Sequence, residues 1–182
     1  MPKSFTSLTC ASCLANVSCC ANFTTVPLTI EDIDRISALG FSLEQIAMAE
    51  PYLQTDFSGS DEKWWKESPV IVNRTPLKAI IKTDKKGKCV FLKEGKGCSL
   101  GSKRPYACRI APLWVDGKGS IIFDKDMHFC CILKSGMGVQ EALNAIHETQ
   151  KSIIRMHEKI KQDCIENKGK HKEILESISK QL

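Results

Sequence analysis

The chain has 182 residues, of which 42% are hydrophobic and 26% charged, and its formal charge is +5. That length suits one domain, or one domain with an appendage, and it buries enough surface to need neither disulfides nor metal for a core. The composition excludes wholesale disorder, and no run approaches the roughly 18 consecutive apolar residues of a membrane span.

Residues 1–26 are Cys-rich and hold no period, so they read as a loop. The mixed stretch from Ser4 to Ala21 makes a poor apolar region for a secretory signal. The expected compartment is therefore the cytoplasm, where thiols stay reduced and clustered cysteines bind metal or do redox chemistry. Thr29 is a good cap for a helix carrying Ile30, Ile33, Ile36 and Leu39, with Glu31 and Asp32 suiting its N-terminus and Gly40 its stop. Ser42 caps a second short helix to about Glu50, with Pro51 as the breaker. Residues 51–69 look like a loop, in which Trp64 and Trp65 are read as core anchors.

From Val70 to Asp124 the signals are strand-like. Val70 to Val72, Leu77 to Lys82, Cys89 to Leu92, Leu113 to Val115 and Ile121 to Phe123 are short apolar runs between turn compositions. Pro105 starts a short helix through Arg109. Past Gly138 the period becomes helical, and the spacing predicts one helix from Val139 to Asn167, broken at Gly169 and followed by a short helix with Ile174, Leu175 and Ile178. The fold class is α+β: a small turn-rich β region with Cys-rich loops around a metal site, flanked by helices and a long C-terminal helix. The expected division is a metal-binding domain over 1–140 and a helical extension over 141–182 packed on it.

Ten cysteines fall below the roughly 8–10% that marks a disulfide scaffold. They are still many for a chain that needs no stapling. Nine lie in three clusters, near the N-terminus, in the centre and near 130. Cys10 and Cys13 form C-x-x-C, a spacing shared by zinc and iron–sulfur sites and weak by itself. Soft thiolates select zinc, copper(I) or iron–sulfur clusters. Cys164, on the C-terminal helix, reads as a packed hydrophobe. His147 and His157, ten apart on one predicted helix, are no chelating pair. Bound thiolates would offset the basic excess, so charge alone does not point to nucleic acid. Nine basic residues from Lys78 to Arg104 read as a solvated hairpin face. Arg104 and Arg109 flank the Pro105 helix, where they either neutralise thiolate and cluster charge or bind loop carbonyls. No phosphate loop, dinucleotide fingerprint or Ser/His/Asp constellation stands out.

The ordered elements Cys89-Val-Phe-Leu, Gly97-Cys98-Ser-Leu, Arg104-Pro105-Tyr-Ala-Cys108-Arg109 and Pro112 resemble the YkgJ family of cysteine-cluster proteins, a zinc- or iron-chelating domain. The resemblance covers about residues 8–140 and is most specific over 89–112. Two features depart from the family pattern. Five residues separate Cys13 from Cys19, where about two are expected. Phe129-Cys130-Cys131 lacks the trailing Pro-Gly, although the offset of Gly136 and Gly138 favours Cys131 over Cys130. The resemblance implies a metal site of eight thiols: Cys10, Cys13, Cys19, Cys20, Cys89, Cys98, Cys108 and Cys131. A zinc ion or one cubane takes four, so it implies two sites, or one site with spare thiols. Thiol excess and the lack of His at ligand spacing favour a [4Fe–4S] cluster over Zn2+, in a structural or electron-transfer role, with a protein or redox partner. Flagellin lysine-N-methylases share the Cys motifs only, which leaves a methyltransferase-like enzyme as an alternative.

Overall fold

In a computed structural model of the chain, the described residues are 20, 25–52, 67–93, 97–124, 127 and 130–179. Of the predicted loop over 51–69, residues 53–66 with Trp64 and Trp65 lie outside them, while Pro51 ends a strand. Helix α1 (Ile30–Ser37) begins at Thr29, whose Oγ1 accepts from the Asp32 N–H at 3.0 Å. The Asp32 carboxylate in turn accepts from the Thr29 N–H at 3.1 Å, closing a capping box. Helix α2 (Leu43–Ile46) is a single turn, and strand β1 (Ala47–Pro51) follows at once. The predicted helix to Glu50 is thus cut short. Ala47, Met48, Ala49 and Glu50 are good helix formers, but they pair antiparallel with β3 (Thr75–Ile81) from Ile81 to Lys78. An apolar central strand needs a neighbour for its backbone groups, and that tertiary demand overrides local propensity.

Strand β2 (Val70–Val72) flanks β3 on its other side, in the order β1–β3–β2. Two-residue strands β4 (Leu92–Lys93) and β5 (Gly97–Cys98) form a second sheet. The predicted strand from Cys89 is displaced, because Cys89 instead makes an isolated bridge to Thr83. After a 3-10 turn at Gly101–Lys103 come α3 (Tyr106–Ile110) and the hairpin of β6 (Leu113–Val115) with β7 (Ile121–Phe123). Helices α4 (Cys131–Lys134), α5 (Val139–Ile146), α6 (Gln150–Glu166) and α7 (Lys168–Ser179) complete the described chain. The α+β class expected from the sequence is what the structure shows.

The single helix predicted over 139–167 is two. His147 takes a left-handed conformation (φ 57°), and Thr149 caps α6 by accepting from the Ser152 N–H at 3.1 Å. The break before the last helix falls at Asn167 rather than Gly169, which lies inside α7. Asp163 explains it. Its Oδ1 accepts from Asn167 Nδ2 at 2.9 Å and from the Ile30 N–H at 3.0 Å, while its Oδ2 lies 2.5 Å from His171 Nε2. This buried carboxylate joins the starts of α1 and α7.

Two main apolar cores result. The first gathers Leu28, Ile33, Ile36, Ile46, Ile81, Phe91, Leu100 and Ile178. The second gathers Tyr106, Ile110, Leu113, Leu143, Ile153, Met156 and Ile160. The C-terminal helices divide between them, α6 on the second and α7 on the first. Among the described residues no helix is long and apolar enough to cross a membrane.

Candidate metal centre

Of the expected ligands, Cys10, Cys13 and Cys19 lie outside the described residues, while Cys20, Cys89, Cys98, Cys108 and Cys131 are placed. The Cys20 region is stitched to the β region by backbone bonds. The Cys89 N–H donates to the Cys20 carbonyl at 2.8 Å, the Ile81 N–H to Val26 at 2.9 Å, and the Leu28 N–H to Ala79 at 3.1 Å. The turn before Cys89 is closed by Asp84, whose Oδ1 accepts from the Lys86 and Lys88 N–H groups at 2.8 and 2.9 Å. Those bonds hold its carboxyl below the usual range. Gly87 supplies the positive φ (77°) that lets the chain fold back onto Thr83. Cys98 then pairs with Leu92, whose N–H donates to the Cys89 carbonyl at 3.0 Å. Cys89 and Cys98 are both half-buried against the first core.

The loop from Cys98 to Cys108 is gripped by α1. Arg35 Nη2 donates to the Arg104 carbonyl at 3.0 Å and contacts the Asp32 carboxylate, and its Nε reaches the Lys103 carbonyl at 3.4 Å. Asp32 Oδ1 accepts from the Tyr106 N–H at 3.1 Å. The Arg35 guanidinium lies 4.6 Å from the Tyr106 ring centroid, and the Tyr106 hydroxyl meets Glu31 and Lys159. Burial pushes the Asp32 carboxyl above its ordinary range, against the opposing pull of its Thr29, Arg35 and Tyr106 donors. Burial also acts upward on Glu31, but the Lys159 and Tyr106 donors outweigh it and bring it below its ordinary range.

Arg104 donates from Nε to the Gly101 carbonyl at 3.1 Å, and Arg109 donates from Nη2 to Glu148 Oε1 at 2.8 Å. The break between α5 and α6 is what puts Glu148 there. Cys108 is half-buried on α3. Cys130 is buried (8% exposed), and the half-buried Cys131 opens α4; both pack in the second core. Of the placed cysteines, Cys89 and Cys98 lie on the first core with Cys20 bonded beside Cys89, Cys130, Cys131 and Cys164 lie on the second, and Cys108 sits on α3, whose Tyr106 and Ile110 belong to the second core. Among the described residues, no three of His, Cys, Asp or Glu are grouped to hold a metal ion.

A family model described as CxxCxxCC, "Putative zinc- or iron-chelating domain", matches residues 9–168. The chain belongs to that family. No curated protein and no solved structure matches it. The CxxCxxCC match runs through the whole of α6, which carries Cys164, to Lys168, so the family domain takes in the helix that packs on α3. The chemistry of the residues fits the family description. Thiols are the soft donors that zinc and iron–sulfur groups select, and Cys20, Cys89 and Cys98 are half-buried on short, turn-rich backbone rather than sealed in a helix. Cys164 differs. Burial pushes its thiol up to about 11, and it lines a recess with Leu28, Lys78, His171 and Leu175. Asp32 and Arg35 were not singled out as site residues from the sequence. Asp32 carries a helix-start signal that explains it fully, and no spacing links it to Tyr106.

Proposed function

We propose that the chain holds an iron–sulfur cluster of the [4Fe–4S] type on cysteine thiolates. Cys10, Cys13, Cys19, Cys20, Cys89, Cys98, Cys108 and Cys131 are the candidate ligands. Four suffice for one cubane, so the remainder pack or serve a second centre. The observation that carries this reading is the backbone bond from the Cys89 N–H to the Cys20 carbonyl, which places Cys20 beside the loop of Cys89 and Cys98. A bound cluster supplies a one-electron couple or a clamp between these loops. Arg104 and Arg109 flank Cys108 along the chain, Arg104 bonding the Gly101 carbonyl and Arg109 pairing with Glu148, and both remain candidates to offset cluster charge. Residues 1–140 carry the candidate ligands, with 141–182 packed on them, and the setting is the cytoplasm with a redox protein as partner. Zinc on the same thiols is the second reading, supported equally by the family description.

Protein purified without oxygen is expected to contain iron and sulfide and to absorb broadly near about 400 nm. Substituting Cys89 or Cys98 by Ser should remove that absorbance. Colourless protein with stoichiometric zinc would replace the cluster by zinc, and metal-free protein after loading with either would overturn the metal reading itself.

A further inference from the structure

We infer that Asp32 and Arg35 are positioning residues of the metal centre, holding the Cys98–Cys108 loop in the shape that presents its thiols. The inference rests on the thiolate-metal reading above. The loop has little regular structure of its own: one 3-10 turn and a five-residue helix separate Cys98 from the end of α3. Such a segment keeps its shape only if its backbone groups are tied down elsewhere. Three of those ties go to two adjacent side chains of α1. Arg35 takes the carbonyls of Lys103 and Arg104 in its guanidinium fork, and Asp32 takes the N–H of Tyr106.

Asp32 is fully buried (0% exposed) and is itself fixed by the Thr29 N–H, so it cannot swing away with the loop. Arg35 also covers the Tyr106 ring, and Lys159 of α6 lies 5.1 Å from the ring centroid. Tyr106 is thereby held at its amide, its ring and its hydroxyl, two residues before Cys108. Partners that orient metal ligands without touching the metal are worth about 10- to 100-fold in affinity. The arrangement also fits Arg better than Lys, because a planar fork can serve two carbonyls and a carboxylate together where an ammonium cannot keep that geometry.

The test uses the full chain, reduced and metal-free, with zinc titrated against a chromophoric chelator and cobalt(II) as a spectroscopic probe of thiolate ligation. Arg35→Gln and Asp32→Asn should weaken zinc binding by about 10- to 100-fold and alter the cobalt spectrum. Arg35→Lys, which keeps the charge and is the milder change should Arg35→Gln not fold, should fall between them and the unaltered chain. Ile36→Val, in the core on the same helix, should lower thermal stability while leaving zinc affinity and the cobalt spectrum unchanged. Zinc affinity equal to the unaltered chain in Arg35→Lys and Asp32→Asn overturns the inference alone. An effect of Ile36→Val as large as that of Arg35→Lys also overturns it, because loss of α1 packing would then explain both. An unaltered chain that takes up neither zinc nor cobalt overturns the metal reading, and the inference with it.

Discussion

The two cores of the molecule hold their cysteines by different means. Among the described residues around Cys20, Cys89 and Cys98, the regular structure is two strands of two residues and an isolated bridge, joined by long-range backbone bonds. Phe41 stands edge-on to Phe91 at 5.1 Å beneath Cys89 and Cys98 in the first core. Around Cys164 the chain is a 17-residue helix with Ile153, Met156 and Ile160 buried beneath it. A short hairpin gains little from its own hydrogen bonds, whereas a long amphipathic helix is held by the face it buries. A cysteine in the first setting can order the chain around it through a bound ion. A cysteine in the second is ordered already.

The largest effect that would break this contrast is metal removal. Thiolate zinc sites contribute about 10–16 kcal/mol apparent in small domains. Stripping the centre should therefore raise amide exchange sharply over 89–99 and 26–28 while the amides of α6 keep their protection, as read by hydrogen-exchange mass spectrometry. Uniform loss in both regions would show a single cooperative unit instead.

A smaller effect sharpens the helical side. His157 is buried edge-on to Trp114, with ring centroids 4.7 Å apart. Burial, with Lys161 adding to it, lowers its imidazole from the usual 6.5 to about 4. Below about pH 6.5 the unfolded chain takes up a proton that the folded chain refuses, so stability is present above that pH and drains away as pH falls through about 4. The full loss is about 3 kcal/mol. Denaturant unfolding of metal-free protein, followed by helix circular dichroism, should show this acid limb, and His157→Leu should flatten it. Using metal-free protein removes the separate acid sensitivity of thiolate ligation.

The smallest effect concerns Cys164. Its thiol stays protonated at neutral pH, and a protonated thiol is neither nucleophile nor ligand. Cys164→Ala should cost about 1 kcal/mol of stability and leave metal content unchanged. A fall in bound metal would place it among the ligands and erase the contrast between the regions.

Much of the scaffold was readable in advance because local chemistry decided it. Thr29 and Asp32 start α1 by a capping box, and the short apolar runs at 113–115 and 121–123 pair across the turn composition between them. The misreadings divide: the break at His147 and Thr149 is local, while others come from contacts distant along the chain. Residues 47–50 become a strand because β3 needs a neighbour, and the last helix starts early where Asp163 meets Asn167 and His171 while also accepting from the Ile30 N–H. The centre divides the same way. Its cysteines announce themselves by motif, whereas Asp32 meets the Tyr106 amide across 74 residues, a contact that no periodicity encodes.

Ile174 and Ile178, close to the end of the last helix, form part of the apolar floor on which Cys89 and Cys98 rest. A protease or a premature stop codon that strips this tail would therefore undermine thiols far upstream without touching one of them. Loss of colour or metal after trimming would be a symptom of a missing floor, and fusion tags at that end should leave α7 intact.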